Sequence, residues 1–263
     1  MDFINESSLT RWARSAARLW IFLDYDGTLA DFAASPDDLE PDPRVIWLLQ
    51  SLGRSPRRRL AILSGRKLAA VRALVPVSGL FLGGAYGLEW QTSSGDIRRR
   101  ADLAPIAPVV AEVRSRWRPL VTGQAGFFLE DKGWTVALHA RFAPERDAER
   151  VLVLARSSAA EAIQSAAGAF RLMEGWRFLE AAPTLADKGQ SVTFLLREFP
   201  WLGAQLLYIG DDDRDRAAFQ VVHGLGGAAV WVQGDGRRRM PAEADYALAS
   251  PSDVRRWLGR LIP

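Results

Sequence analysis

Asp24 and Asp26 stand two residues apart in Leu23-Asp24-Tyr25-Asp26-Gly27-Thr28-Leu29, directly after the apolar run Leu19–Leu23. A strand that ends in Asp-x-Asp carries two carboxylates to the carboxyl edge of a sheet, where open α/β sheets bind ligands. Gly27 lets the chain turn sharply away. One carboxylate can attack phosphorus as a nucleophile. The other can protonate a leaving alcohol and then take a proton from water. Bringing a dianionic phosphate up to a carboxylate needs a hard cation, and Mg²⁺ suits because it keeps substrate and water among its oxygen ligands. An ordinary acidic turn is the plain alternative, but Asp-x-Asp-Gly-Thr after an apolar strand is a much rarer sequence.

Such chemistry needs further parts, and three later segments can supply them. Leu63-Ser64-Gly65-Arg66 offers a hydroxyl and main-chain donors to a phosphate, although Ser64 could equally be a helix cap. Asp187-Lys188-Gly189 opens a helix, with Lys188 able to neutralise phosphate charge. Leu207-Tyr208-Ile209-Gly210-Asp211-Asp212-Asp213-Arg214-Asp215 ends an apolar run in four acids, which repel one another unless a cation sits among them. A calcium loop would need Gly at its sixth position and Glu at its twelfth, where this run has Arg216 and Val222. No P-loop signature occurs.

The elements that must position these groups follow from the apolar pattern. Leu19–Leu23, Leu60–Leu63, Leu80–Leu82, Leu206–Ile209 and Ala228–Val232 are too uniformly apolar to be half-exposed and read as buried parallel strands. Helical patterns over Pro43–Leu52, Lys67–Leu74, Lys188–Arg197, Ala217–His223 and Ser252–Leu261 alternate with them. That alternation predicts an α/β fold with a doubly wound, mainly parallel sheet. The middle breaks the rhythm. Helices are expected over Pro105–Trp117 and Pro144–Ala167, with strands over Phe127–Glu130, Trp134–Arg141, Phe170–Glu174 and Arg177–Glu180. Elements segregated in this way predict an inserted α+β domain over 104–182, between core segments 1–103 and 183–263.

Composition narrows the chemistry. The 263 residues include no cysteine and only two histidines, which excludes disulfide scaffolds and cysteine nucleophiles and makes a Ser-His arrangement hard to build. The 34 Lys+Arg against 31 Asp+Glu leave a charge of +3, too little to imply nucleic acid. Arginine clusters at Arg57–Arg59, Arg98–Arg100 and Arg237–Arg239 read as solvated surface rather than a binding stripe. The N-terminal apolar run is shorter than a signal-peptide core, and no stretch reaches the ~20 apolar residues of a spanning helix. A cytoplasmic monomer without nucleic-acid or membrane partners is expected.

The four segments, in this order, resemble the motifs of the haloacid dehalogenase superfamily of phosphatases, and the insert resembles its C2-type cap. Within that superfamily the chain is similar to the trehalose-6-phosphate phosphatases. Phe128-Leu129-Glu130-Asp131-Lys132-Gly133-Trp134 is similar to their Glu-x-Lys segment, and Leu138-His139-Ala140-Arg141 to their His-Tyr-Arg strand. Glu180 resembles their second cap glutamate. The family's Gly-Ser-His-Gly-x-Glu reads here Gly84-Ala85-Tyr86-Gly87-Leu88-Glu89. In the last motif Arg214, Arg216 and Ala217 replace Thr, Glu and Asp.

The resemblance implies a haloacid dehalogenase-like core with a cap, and Mg²⁺-dependent hydrolysis of a small sugar phosphate, trehalose 6-phosphate, through an aspartyl-phosphate. Asp24 would be the nucleophile and Asp26 the acid and base, with Ser64 and Lys188 on the phosphoryl oxygens. Asp24, the main-chain carbonyl of Asp26, and Asp211 would hold the metal, with Asp215 in support. Gly65, Arg66, Glu130, Lys132, His139, Arg141 and Glu180 would bind substrate. The alternatives are a capped phosphatase for another sugar or glycosyl phosphate, and an inactive sugar-phosphate-binding protein.

Overall fold

A computed structural model describes residues 6–31, 40–164, 166, 168–234 and 239–262. The chain forms two compact units, residues 1–100 with 187–263, and residues 101–186. The second unit starts three residues before and ends four residues after the insert expected over 104–182.

The first core segment contains α1 (Glu6–Ser15), β1 (Leu19–Leu23), α2 (Pro43–Gly53), β2 (Arg58–Leu63), α3 (Leu68–Leu74), β3 (Phe81–Gly84), β4 (Glu89–Gln91) and β5 (Ile97–Arg99). The insert contains α4 (Ala107–Val121), β6 (Phe128–Asp131), β7 (Val136–His139), α5 (Glu145–Gln164), β8 (Phe170–Gly175) and β9 (Phe178–Pro183). The chain then returns with α6 (Lys188–Glu198), β10 (Gln205–Gly210), α7 (Arg216–Gly224), β11 (Ala228–Val232), β12 (Tyr246–Leu248) and α8 (Pro251–Gly259).

In the core unit the strands follow the order β12-β11-β10-β1-β2-β3-β4-β5, parallel except where β4 pairs with β3 and β5. Alternate residues of each buried strand point to opposite faces. Leu19, Ile21 and Leu23 of β1 pack in one layer with residues of α1, α2, α3 and α8, while Trp20 and Phe22 pack in the other with α6 and α7. Each such side chain taken fully out of water contributes about 1.5–3 kcal/mol. Helix caps are built from the sequence as well. Asp42 caps α2 and Asp187 caps α6, the latter accepting from the Gln190 N–H at 2.8 Å.

The β4–β5 hairpin, β12 and α1 were not legible in the apolar pattern. The three strands are only three residues long, and all of β5 is exposed, so no apolar run marks it. In the insert, four antiparallel strands in the order β6-β7-β9-β8 pack with α4 and α5. Trp117 joins the two helices by donating Nε1–H to the Ala155 carbonyl at 2.8 Å. No helix among the described residues is long and apolar enough to cross a membrane.

Candidate active site

Parallel pairing of β1 with β10 sets Leu23 beside Ile209, so the strands deliver Asp24 and Asp211 side by side. The Asp24 N–H donates to the Ile209 carbonyl at 3.0 Å, which fixes that approach. From β1 the chain winds through β2 and β3 toward one edge, and from β10 through β11 and β12 toward the other. This is a topological switch point, where such sheets open a crevice. Gly210 allows the acidic run to fold back on itself, since a Cβ there would lie 2.3 Å from the Asp215 carboxyl carbon.

Asp24, Asp211 and Asp215 are all buried, and each places a carboxylate oxygen within 4.8 Å of the others. Lys188, brought in by the first turn of α6, lies 3.0 Å from Asp24 Oδ1 and 2.6 Å from Asp215 Oδ1. Burial pushes the Asp24 carboxyl up to about 7; Lys188 pulls it down, and Asp215, Asp212 and Asp26 push it further up. Burial, then Asp24 and Asp212, hold Asp211 well above the usual carboxylate range. Asp215 is raised too, mainly by burial and against the pull of Lys188. For Lys188 burial opposes the charge, but Asp215 and Asp24 outweigh it and the ammonium is held above its usual value. Three crowded carboxylates around a single ammonium are a hard-oxygen donor set with surplus negative charge, which fits a divalent ion.

Asp215 itself is fully engaged. One oxygen accepts from Lys188 and, at 2.7 Å, from the Tyr208 hydroxyl; the other accepts from the Asp211 and Asp212 N–H groups at 3.1 and 3.0 Å. With two donors on each oxygen it anchors the acidic loop and aims Lys188. Thr28 donates to Asp211 Oδ1 at 3.2 Å and steadies that carboxylate. Arg66, expected on the substrate, grips Asp26 in this structure. Its Nε donates to Oδ2 at 2.7 Å and its Nη2 to Oδ1 at 2.8 Å, a bidentate pair. Ser64 is buried, with its Oγ accepting from the Arg66 N–H at 3.1 Å.

In the insert, strand register puts Glu130 opposite Ala137 and Ala137 opposite Glu180, so both glutamates occupy one row across the sheet. Lys132 Nζ lies 3.0 Å from Glu180 Oε1 and 3.8 Å from Glu130 Oε2. His139 Nε2 lies 3.0 Å from Glu130 Oε2, and the Thr135 hydroxyl donates to Glu180 Oε1 at 2.5 Å. Glu180 and Lys132 are buried. Arg141 stands exposed, its guanidinium 5.8 Å from the Trp176 ring centre.

A family model described as trehalose-phosphatase matches residues 22–252. The chain belongs to that family. It is 31% identical over 251 residues to a probable trehalose-phosphate phosphatase of Sinorhizobium fredii (strain NBRC 101917 / NGR234), covering 95% of this chain and 86% of the relative. It is 29% identical to trehalose-6-phosphate phosphatase of Escherichia coli (strain K12), covering 95% and 89%. The C-terminal domain of C. albicans trehalose-6-phosphate phosphatase shares its fold, with a TM-score of 0.86 at 19% identity over 99% of this chain and 97% of that one.

Several groups in this trehalose-phosphatase family member carry no local sequence signal. Tyr208 sits on a buried strand and read as core; only its hydroxyl, aimed at Asp215, distinguishes it. Thr135 lies one residue outside a strand and carried no signal. Arg214, Arg216 and Tyr86 also find places. Arg216 faces outward and pairs with Glu243 at 2.9 Å. Arg214 and Tyr86 meet, with Nη1 donating to the phenol oxygen at 2.8 Å. The arginine clusters are partly consumed by packing. Arg57 donates to the Ala16 carbonyl at 2.8 Å, and Arg59 lies 4.6 and 4.7 Å from the Trp20 and Trp201 ring centres. Arg99 pairs with Glu89 at 3.0 Å, whereas Arg237 and Arg238 lie outside the described residues.

Proposed function

We propose that this protein hydrolyses trehalose 6-phosphate to trehalose and inorganic phosphate. The observation that carries the reading is the buried Asp24–Asp211–Asp215 trio at the switch point, with Lys188 set between Asp24 and Asp215. Family membership and the names of the relatives support the substrate. Asp24 attacks phosphorus; a bond forms between its carboxylate oxygen and phosphorus as the bond from phosphorus to the sugar oxygen breaks. Asp26 gives that oxygen its proton, then takes one from the water that cleaves the aspartyl-phosphate, which restores Asp24. Both Asp26 oxygens accept from Arg66, the pairing of a carboxylate, so Asp26 carries the proton it gives only once one of those contacts is released and that oxygen is protonated from solvent.

Asp24, Asp211 and the main-chain carbonyl of Asp26 would hold Mg²⁺, with Asp215 in support, and the ion supplies charge neutralisation for the incoming dianion. Ser64, the Gly65 N–H and Lys188 take the phosphoryl oxygens as charge spreads over them. Glu130, Lys132, His139 and Glu180 read the sugar hydroxyls, since a polyol satisfies many buried charged groups at once.

The test is phosphate release from a panel of sugar phosphates with Mg²⁺, with and without EDTA. A preference for trehalose 6-phosphate of about tenfold or more, abolished by EDTA, is expected. Equal turnover across the panel would move the assignment to a broader phosphatase. Tight binding without release would leave a sugar-phosphate-binding protein.

A further inference from the structure

Neither Tyr86 nor Arg214 makes or breaks a bond in the proposed reaction, yet together they join its two halves. The turn after β3 is unusual, because Ala85 and Tyr86 both adopt left-handed backbone, with φ of 48° and 58°. Residues other than glycine persist there only where their surroundings enforce it, and such places cluster at functional sites. Here the enforcement comes from the phosphate turn itself. The Ala85 N–H donates to the Arg66 carbonyl at 2.6 Å, and the Tyr86 N–H to the Ser64 carbonyl at 2.9 Å. The kinked turn therefore clasps the main chain on both sides of Gly65. From the opposite direction Ser191 Oγ donates to the Tyr86 carbonyl at 2.6 Å.

The Tyr86 side chain continues the connection. Its ring lies so close over Gly65 that a Cβ there would meet ring carbons and the hydroxyl at 2.9 Å. Its hydroxyl accepts from Arg214, whose Nε lies 2.9 Å from Asp212 Oδ2 and whose N–H donates to Asp212 Oδ1 at 2.8 Å. The Asp212 N–H in turn donates to Asp215. An unbroken line of packed and hydrogen-bonded groups thus runs from the Ser64–Gly65 turn to the carboxylate loop. Tyr86 and Arg214 form its central link.

We propose that the Tyr86–Arg214 pair is a latch that sets the phosphate-gripping turn against the carboxylate loop, making both positioning residues for the phosphoryl group. The inference rests on phosphate being held at Ser64 and Gly65. Inorganic phosphate in the presence of Mg²⁺ is the probe, titrated by calorimetry into the parent, Tyr86→Phe, Arg214→Gln and the double variant. KM and kcat for p-nitrophenyl phosphate and melting temperatures are measured alongside. Each single variant should weaken phosphate binding about tenfold and raise KM more than it lowers kcat, with the melting temperature little changed. The double variant should bind no more weakly than the worse single one, because one link is broken either way.

Arg214→Lys keeps the charge but loses the planar fork, so it should behave like Arg214→Gln. It also keeps the test alive if the Tyr86 variant fails to fold. Unchanged phosphate affinity in the single variants, losses that multiply in the double, or full rescue by lysine would overturn the latch. A parent that binds phosphate and spares trehalose 6-phosphate leaves the latch standing and removes the substrate assignment. A parent that binds no phosphate removes the latch, while phosphate release from trehalose 6-phosphate still decides the substrate.

Discussion

Each unit of this protein buries a lysine between two acids, and the two clusters differ in what surrounds them. In the core unit Lys188 serves Asp24 and Asp215, with Asp211 close by; with all three acids charged the balance is 1 − 3 = −2. In the insert Lys132 serves Glu130 and Glu180, a balance of 1 − 2 = −1, with the Thr135 hydroxyl on Glu180 and His139 beside Glu130. The first cluster is short of positive charge, a donor set that fits a cation, and the proposed reaction turns one of its carboxylates against phosphorus. The second is closer to self-sufficient and has donors and acceptors to exchange with neutral hydroxyls. In the proposed reaction the same residue types serve bond-breaking in one place and recognition in the other, and charge surplus separates the roles.

The sharpest way to break that contrast is to neutralise one acid in each cluster without changing its size. Asp24→Asn should lower phosphate release about 10⁴-fold or more, because a nucleophile has no substitute. Glu180→Gln should raise KM for trehalose 6-phosphate about tenfold or more, as the loss of a charge-assisted hydrogen bond does. It should lose far less with p-nitrophenyl phosphate, which has no sugar. Steady-state kinetics on both substrates decides, and similar losses from the two variants would erase the division of labour.

The lysines provide the next comparison. Lys188→Met leaves buried acids facing one another and should cost about 3–5 kcal/mol in metal-free protein. Lys132→Met leaves Glu180 its threonine donor and should cost about 1–3 kcal/mol. Unfolding curves of the two variants measure this, and equal losses would show that the charge surplus does not distinguish the sites.

The smallest effect is in pH. Asp24 titrates near 7 in the folded metal-free protein, against 3.8 for the free group, because burial and its acidic neighbours outweigh Lys188. A raised carboxyl binds its proton more tightly folded than unfolded, so its contribution falls as pH rises from about 4 to about 7. The raised Asp211 and Asp215 act in the same sense. The gain in melting temperature from Mg²⁺ over EDTA should therefore grow between pH 5 and pH 8, as the ion takes the place of the lost proton. A gain independent of pH would show that Asp24 and Asp211 are not its ligands.

Much of the core site was legible because strand ends are local events. An apolar run followed by Asp-x-Asp-Gly-Thr states both the strand and what stands at its tip, and the run into Asp211–Asp215 does the same. The clasp of Arg66 on Asp26 was not legible. Whether an arginine faces substrate or a carboxylate 40 residues away depends on how β1 and β2 pair. The hairpin β4–β5 was equally silent, because a three-residue exposed strand has no hydrophobic period.

What this sequence determined by itself was the list of reactive groups and the alternation of buried strands and helices, since both are written in residue type and short spacing. Which groups touch was decided only by the fold. Strand order brought positions 24 and 211 together, helix packing aimed Lys188, and the left-handed turn at Ala85–Tyr86 carried a tyrosine to Arg214. Contacts between residues far apart in the chain depend on register and crossover, and no local pattern of side chains encodes those.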